Sequence, residues 1–377
     1  MNANPPLGIF GFPGRYVQGP GALRALGELL RELGAERVAA VADATVRAAV
    51  GHTVQPALQA AGIALQWLDF PGECTAATIA ALARAAEPAP SVVLGLGGGK
   101  AIDTAKGVAK ARGTRLVIAP TVASNDSPTS RVIVIYDEHH VLAEVQQLVR
   151  NPDAVVVDTE VICQAPVRFF AAGLGDALSK RFEAAQCAAA GGRNFFGGRP
   201  LGLALAMGER CHATLRADGL AALARVRSGQ GPDAAVERVV EATVLLSGLA
   251  FESGGLSLAH ALNRGFTAHP RLTHALHGEM VAFGTLVQLV AQEEPAAFVQ
   301  DHAEFTHALG LPVHLAALGA PGLTEAELCE IARLTCKAPY IGHLRPAADE
   351  PRVFDALCRA DAIGRAVAGL PPGASAG

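Results

Sequence analysis

The segment 92-VVLGLGGGKAIDTAK-106 decides the fold of this chain, because it joins a strand to a helix through three consecutive glycines. Val92–Leu96 is apolar, as expected for a buried strand, and Lys100–Ala111 has the pattern of a helix. Glycines at this junction let backbone N–H groups approach a phosphate, and the start of a helix adds a favourable dipole. Lys100 stands where the GxGxxG fingerprint has its third glycine. Two interpretations therefore stay open, a phosphate-binding turn and a tight strand–helix connection.

Strand-like and helical segments alternate on both sides of this turn. The predicted strands are Val38–Ala42, Ile63–Leu68, Val92–Leu96, Leu116–Ala119, Arg131–Tyr136 and Ala154–Val157, with helices at Gly21–Leu33, Ala76–Ala86 and Ile102–Ala111. This alternation favours a mostly parallel sheet covered by helices. After Pro166 the periodicity is helical, over Asp176–Ala190, Leu201–Leu215, Asp233–Phe251 and His277–Gln292. We predict an α/β dinucleotide-binding domain over 1–164 and an all-α metal-binding domain over 165–377.

Composition excludes several classes of protein. The chain has 377 residues, 50% of them hydrophobic and 18% charged, which is typical of a globular protein of two domains. A net charge of −4 without a basic block argues against a nucleic-acid partner. No apolar run reaches the roughly 18 residues of a membrane span. The N-terminus lacks a secretion signal and the seven cysteines are scattered, so we expect reduced thiols and a cytoplasmic protein.

One aspartate and two histidines form a candidate metal set. His260 and His277 lie in the apolar, helix-forming stretch 255–284, and Asp176 is predicted at the head of an earlier apolar helix. One carboxylate and two imidazoles are an ordinary ligand set for a catalytic zinc with an open position. A single histidine on an apolar helix is more often a core residue, however, and His269, His274 and His343 compete for the role.

Two neighbours of this set bear on it. His274 is predicted one turn before His277 on the same helix face, where it would bind the metal or support a ligand. Lys180 follows Asp176 by one turn, and a cation there argues against a fourth protein ligand on that face. In the other half of the chain, Asp43 follows the strand Val38–Ala42. It is either the acid that hydrogen-bonds a ribose 2′-OH, favouring NAD over NADP, or a helix N-cap.

These segments together resemble the glycerol dehydrogenases of the iron-type, or group III, alcohol dehydrogenase superfamily. The resemblance covers nearly the whole chain. It runs through 14-GRYVQGPGAL-23, 97-GGGKAIDTAKGVA-109, 120-PTVASNDSPTSRVIVIY-136, 173-GLGDALSKRFEA-184, 252-ESGGLSLAHALNRGF-266 and 276-LHGEMVAFGTLVQL-289. It implies the two-domain architecture shared with dehydroquinate synthase-like enzymes.

The resemblance also implies roles for individual residues. Asp176, His260 and His277 would hold the metal and act in substrate binding and catalysis, and Asp126 would contact the polyol unless it only forms a turn. Lys180 replaces the extra histidine of iron-dependent relatives, which implies Zn²⁺. The residues implied for the NAD site are Asp43, Gly97, Gly98, Gly99, Lys100, Thr121, Ser124, Ser130, Val132 and Tyr136.

The expected activity is a reversible, zinc-dependent oxidation of glycerol or a related 1,2-diol to the hydroxyketone, with hydride transfer to NAD. The resemblance further implies a small polyol as the partner molecule and a homo-oligomeric enzyme. Asn125, Arg131 and Asn263 depart from the family's usual residues near the substrate pocket, so the preferred polyol stays open. The alternatives are an NAD-using cyclase or a dehydrogenase of phosphorylated polyols on the same scaffold.

Overall fold

The structure, a computed structural model, describes residues 7–138 and 141–371. Its strands are β1 (Tyr16–Gly19), β2 (Arg37–Ala42), β3 (Ala64–Asp69), β4 (Val92–Gly97), β5 (Arg115–Pro120), β6 (Val132–Tyr136), β7 (Leu142–Gln147) and β8 (Ala154–Asp158). Its helices are α1 (Leu26–Glu32), α2 (Ala44–Ala60), α3 (Ala76–Ala85), α4 (Gly99–Arg112), α5 (Thr159–Gln164), α6 (Val167–Leu178), α7 (Lys180–Ala189), α8 (Gly202–Arg227), α9 (Ala234–Val240), α10 (Ser247–Gly254), α11 (Leu258–Ala261), α12 (Asn263–Phe266), α13 (His277–Ala291), α14 (Ala296–Ala308), α15 (Glu325–Thr335) and α16 (Glu350–Val367). Within the described ranges, no helix has both the length and the hydropathy that a membrane crossing requires.

The chain forms two compact units, and neither is one continuous stretch of sequence. The α/β unit consists of Phe12–Phe170 and Ala224–Gly248, and the helical unit holds the remainder. The predicted division between residues 164 and 165 differs from this one, because residues 224–248 are helical in pattern yet belong with the sheet. Glu237 of that segment accepts hydrogen bonds from Gln18 in β1, at 2.8 Å, and from Thr159, at 2.6 Å.

A six-stranded parallel sheet with the order β1-β8-β5-β4-β2-β3 forms the centre of the α/β unit. β4 is buried along its whole length, as its apolar sequence predicts. Within the sheet, β3 pairs with one edge of β2, and the chain then crosses over so that β4 pairs with the other edge of β2. Open α/β sheets bind ligands at the carboxyl ends of strands where the order reverses in this way. The loops after β2 and β4 are therefore the expected ligand-binding edge of this unit.

The helical unit is built around α13. Its side chains pack with those of α11, α14, α15 and α16 in one apolar cluster that includes Phe266, Phe283, Leu286 and Leu357, all buried. α13 is apolar on nearly every side, so it can be stable only where other helices surround it. The predicted fold class, an α/β N-terminal domain followed by an all-α C-terminal domain, is confirmed.

Several predicted elements need correction. β1 and β7 were not predicted, because β1 has only four residues and β7 is largely polar and exposed. Arg131–Tyr136 is a strand, but as β6 it pairs with β7 outside the main sheet. Asp233–Phe251 is interrupted by a π-helical segment, Glu241–Leu246, where Thr243 donates to the carbonyls of two residues in the preceding turn.

The helix predicted over Asp176–Ala190 is two helices, α6 and α7. The hydroxyl of Ser179 donates to the carbonyl of Asp176 at 2.8 Å, and the Ser179 N–H donates to the same oxygen at 3.3 Å. This local bonding by a serine competes with the regular helical pattern. Asp176 consequently lies in the last turn of α6, and not at the head of a helix as predicted.

Candidate metal centre and nucleotide site

Asp176, His260 and His277 converge in the helical unit. The distances from Asp176 Oδ1 are 3.3 Å to Nε2 of His260 and 3.7 Å to Nε2 of His277. One ligand atom from each residue lies within 4.8 Å of the other two. The carboxylate is buried, whereas the side chain of His277 is 40% exposed, so the group opens on the His277 side. The arrangement is a pocket of three donors with one accessible side.

Two glycines let the helices that supply these ligands approach each other. A Cβ atom at Gly278, the residue after His277, would lie 1.8 Å from the carbonyl oxygen of Ala172 in α6. A Cβ at Gly175, beside Asp176, would lie 2.5 Å from the carbonyl oxygen of Gly278. Only residues without side chains permit this contact between α6 and α13. The contact places Asp176 and His277 side by side.

Glu183 holds His260 in place. Its Oε2 lies 2.6 Å from Nδ1 of His260, and its Oε1 accepts from the backbone N–H groups of Ser257, at 2.9 Å, and His260, at 3.0 Å. A carboxylate at Nδ1 leaves Nε2 to face the other donors, an arrangement common behind metal-binding histidines. Sequence reasoning missed Glu183, although it lies in the quoted motif 173-GLGDALSKRFEA-184.

The buried charged groups of this site shift one another's pKa values. Burial raises the pKa of Asp176, but the Lys180 ammonium and hydrogen bonds from both histidines outweigh it and hold the pKa well below its usual value. Burial likewise raises the pKa of Glu183, and His260 more than reverses that shift. Burial lowers the pKa of His260, but the Glu183 carboxylate outweighs it and raises the pKa to about 9. The two buried carboxylates are thus balanced by two cations, the Lys180 ammonium and a protonated His260.

The donor set fits a divalent metal. Oδ2 of Asp176 is buried and has no hydrogen-bond partner among the described residues, which is costly unless a cation binds it. A carboxylate oxygen and two imidazole nitrogens are the protein ligands that catalytic zinc uses with an open fourth position. The unpartnered oxygen is the observation that favours a metal here over a structural hydrogen-bond cluster.

Asn263, one of the residues that depart from the family's usual sequence, contacts the proposed metal ligand His277. Its Nδ2 lies 3.4 Å from Nδ1 of His277, while its Oδ1 is buried without a partner among the described residues. Turning the amide over would let Oδ1 accept from a protonated Nδ1 and leave Nε2 of His277 as a donor to a metal. Asn263 is therefore suited to orient His277.

The three competing histidines, His269, His274 and His343, lie outside this group. His343 Nδ1 lies 2.7 Å from the carbonyl of Leu256, and His269 Nε2 lies 3.3 Å from Glu327. The prediction that His274 shares a helix face with His277 is wrong, because α13 begins at His277. Glu279 accepts from the N–H of Leu276 at 2.8 Å and closes the start of that helix, leaving His274 in the preceding turn.

The glycine turn joins β4 to α4 as predicted. Gly97 has φ +134°, a backbone conformation that residues other than glycine rarely adopt. A Cβ at Gly99 would lie 2.7 Å from Asn125. Gly98 precedes the first turn of α4 without a side-chain cap, so the N–H groups of that turn have no such partner. Lys100 is half-exposed and pairs with Glu73 at 2.5 Å.

Asp43 directly follows β2, the strand that pairs with β4 and so lies next to the glycine turn. Its Oδ1 accepts from the N–H of Val46 at 2.8 Å, so Asp43 is the N-cap of α2, one of the two roles that the sequence predicts for it. That bond uses one carboxylate oxygen and is compatible with a ribose contact by the other. Asp43 and the glycine turn follow two adjacent strands at the point where the strand order reverses, so both belong to the expected ligand-binding edge.

The remaining predicted contacts follow β5. Thr121 is buried and its N–H donates to the carbonyl of Gly97 at 3.1 Å, Ser124 is half-buried, and Tyr136 has its ring 5.2 Å from Nζ of Lys100. Burial raises the pKa of Tyr136 above its usual value. Asp126 is buried and makes no cap bond to the following turn. Asn125 makes the turn bond instead, accepting from the N–H of Ser127 at 3.1 Å.

A buried lysine that sequence reasoning missed organises this region. Nζ of Lys106 lies 2.7 to 3.3 Å from five oxygen atoms, on Asp103, Ser127, Ser130 and Val132. Asp103 in turn accepts from the hydroxyl of Ser127 and the N–H of Val134, at 2.6 and 2.9 Å. The network ties α4 to the segment that holds Ser130 and Val132, two of the predicted nucleotide contacts.

Comparison with known proteins gives the family. Residues 17–166 match the family described as iron-containing alcohol dehydrogenase. The chain is 41% identical over 356 residues to a glycerol dehydrogenase of Escherichia coli O6:H1, covering 94% of this chain and 96% of that protein. It is 38% identical to a glycolaldehyde reductase of Halobacterium salinarum, covering 95% and 98%. A solved probable glycerol dehydrogenase from Sinorhizobium meliloti 1021 has a TM-score of 0.90 at 36% identity, covering 95% of this chain and 99% of that one. The chain therefore belongs to the glycerol dehydrogenases of the iron-containing alcohol dehydrogenase family, as its sequence motifs predicted.

Proposed function

We propose that the protein oxidises glycerol or a related 1,2-diol to the hydroxyketone, reversibly, with NAD as the hydride acceptor and Zn²⁺ as the metal. As a family member it is an oxidoreductase. The observation that supports the proposal most is the convergence of Asp176, His260 and His277, one ligand atom from each lying within 4.8 Å of the others. The identity to the glycerol dehydrogenase of Escherichia coli O6:H1, 41%, supports the substrate class.

In this proposal each residue has a defined part. A zinc ion held by Asp176, His260 and His277 would supply Lewis-acid polarisation of a substrate hydroxyl. Glu183 keeps Nε2 of His260 directed at the ion through the 2.6 Å contact at Nδ1. Asp126 orients a second hydroxyl of the diol by accepting its hydrogen bond.

The nucleotide is assigned to the carboxyl edge of the parallel sheet. The N–H groups at Gly98, Gly99 and Lys100 bind the pyrophosphate, and Asp43 accepts from the ribose 2′-OH. A carboxylate at that position repels the 2′-phosphate of NADP, so NAD is preferred. Thr121, Ser124, Ser130, Val132 and Tyr136 complete the contacts. Bound NAD supplies the hydride acceptor.

The testing experiment follows NADH formation with a panel of glycerol, 1,2-propanediol, 2,3-butanediol and a primary alcohol. Each substrate is tested with zinc-loaded protein, with chelated protein, and with chelated protein given zinc or ferrous iron. We expect turnover of the vicinal diols that chelation abolishes and zinc restores. Restoration by iron alone would replace zinc in the proposal. Failure of every diol with protein that holds metal and NAD would contradict the polyol activity.

A second candidate substrate comes from the relative named glycolaldehyde reductase, which is 38% identical over 361 residues. The reverse assay, oxidation of NADH by glycolaldehyde or dihydroxyacetone, ranks the two. A cyclase would give product without net NADH, and a phosphorylated-polyol dehydrogenase would require the phosphate ester, so both alternatives are separated by the same assay.

Two further proposals concern the state of the protein. We expect a homo-oligomer, as the resemblance implies, and light scattering on a sizing column measures it. We also expect a reducing compartment such as the cytoplasm, which the seven free cysteines support.

A further inference from the structure

Lys180 lies among the three proposed metal ligands. Its side chain is fully buried, and its Nζ lies 2.6 Å from Asp176 Oδ1 and 3.1 Å from Nε2 of His260. The ring of Phe251 lies beside the ammonium, 5.7 Å from Nζ to its centroid. A positive charge thus contacts two of the atoms that the proposed zinc site requires.

The position of Lys180 is explained by Asp176 and not by its own helix. Lys180 is the first residue of α7, and a cation at a helix N-terminus is unfavourable because the N-terminal end of the helix dipole is positive. A fully buried carboxylate without a cation, in contrast, is strongly destabilising. In the absence of metal, the ammonium provides the charge that Asp176 needs.

A metal ion at this site and the ammonium would share the same partners. Zinc binds carboxylate oxygen and imidazole nitrogen at about 2.1 Å. Since Nζ is 2.6 Å from Asp176 Oδ1, an ion on that oxygen lies no more than about 4.7 Å from the ammonium unless Lys180 moves. Two positive charges at that separation in a buried site repel each other strongly.

We propose that Lys180 is an internal cation that competes with the metal ion for Asp176 and His260. It stabilises the metal-free protein and lowers the affinity for metal, so that loading requires the ammonium to move off both ligands. The inference rests on the proposed metal site.

Lys180→Met tests it, because methionine has a similar length and no charge. Lys110→Met is the matched control, since Lys110 is exposed in the α/β unit and bonds Gln146. Zinc affinity is measured by competition with a chromophoric chelator, and thermal unfolding is followed with and without zinc. We expect K180M to bind zinc on the order of tenfold or more tightly than the wild type, and its metal-free form to melt lower. K110M should match the wild type in both measurements.

A third measurement needs only metal-loaded protein, in case metal-free K180M does not fold. Zinc release into excess chelator should be slower for K180M than for the wild type. Affinity that falls in K180M, with faster release, would mean that Lys180 is a ligand and would overturn the inference, as would an unchanged affinity. If neither protein binds zinc, the proposed metal site fails first, and the inference fails with it.

Discussion

Among single residues, Glu183 is predicted to strengthen metal binding without being a ligand itself. In Glu183→Gln the amide cannot hold Nδ1 of His260 as a carboxylate does, although it can still accept from the backbone. We expect zinc affinity to fall roughly 10- to 100-fold, the range seen when such supporting partners of histidine ligands are removed. Chelator competition measures it. Glu209→Gln, at an exposed partner of Arg181, is the control, and equal affinities in the two variants would contradict the role.

His302, in α14, makes stability depend on pH. Burial, with smaller contributions from His212 and Arg216, lowers its pKa from an ordinary value of 6.5 to about 3. Between those values the unfolded chain holds a proton that the folded protein excludes, so the free energy of unfolding decreases as pH falls. The slope is about 1.4 kcal/mol per pH unit for each such histidine. His212, whose pKa burial lowers to about 4, adds to it over its narrower range.

The variant His302→Gln isolates this contribution. Nε2 of His302 has no hydrogen-bond partner among the described residues, so the change removes no hydrogen bond at that nitrogen. Urea unfolding at several pH values between 5 and 7 should give a curve less steep than the wild type's by about 1.4 kcal/mol per unit at the acid end. His52→Gln, at an exposed histidine, should leave the wild-type curve unchanged. A wild-type slope in H302Q would contradict the assignment.

At the scale of elements, Lys106 joins α4 to the segment before and within β6. Lys106→Met leaves the buried Asp103 carboxylate without its cation and frees Ser127, Ser130 and Val132 from the contact. Breaking such a buried pair costs about 3–5 kcal/mol of stability. We also expect weaker NAD binding, since two predicted nucleotide contacts lie in the released segment. Urea unfolding measures the stability and titration calorimetry below the melting temperature measures the NAD affinity, with Lys110→Met from the same helix as the control. Unaltered NAD affinity in a folded K106M would contradict the positioning role.

Helices and strands with strong patterns were predictable, and the buried charges were not. The six predicted strands are present because apolar runs between glycines and prolines have few other stable conformations. Lys106 and Lys180 have no distinguishing mark in the sequence, since lysine is almost always exposed and only tertiary contacts reveal the exceptions. The start of α13 was also not predictable, because Leu276 has no side-chain oxygen and 276–279 therefore lacks the Ser/Thr-x-x-Glu capping signature; the bond from the Leu276 N–H to Glu279 is evident only in the structure.

At the scale of the whole molecule, the two proposed sites belong to different units. All three proposed metal ligands lie in the helical unit, and the glycine turn with Asp43 lies in the α/β unit. Asp176→Asn should therefore abolish zinc binding and turnover while changing the Kd for NAD by no more than about twofold. Gly99→Val, whose side chain would meet Asn125, should weaken NAD binding and leave zinc binding unchanged. Loss of both ligands in either variant would contradict independent sites.

The division of each unit into separate stretches of sequence also sets an order of events during synthesis. When residue 170 has been translated, the residues of all eight strands have been made. Glu237, which accepts hydrogen bonds from Gln18 and Thr159, has not yet been translated. The α/β unit is complete only once Gly248 has emerged from the ribosome. The helical unit is complete only after α16, Glu350–Val367, has also been translated. Nascent chains should thus gain a protease-resistant nucleotide-binding unit before they gain a metal-binding one.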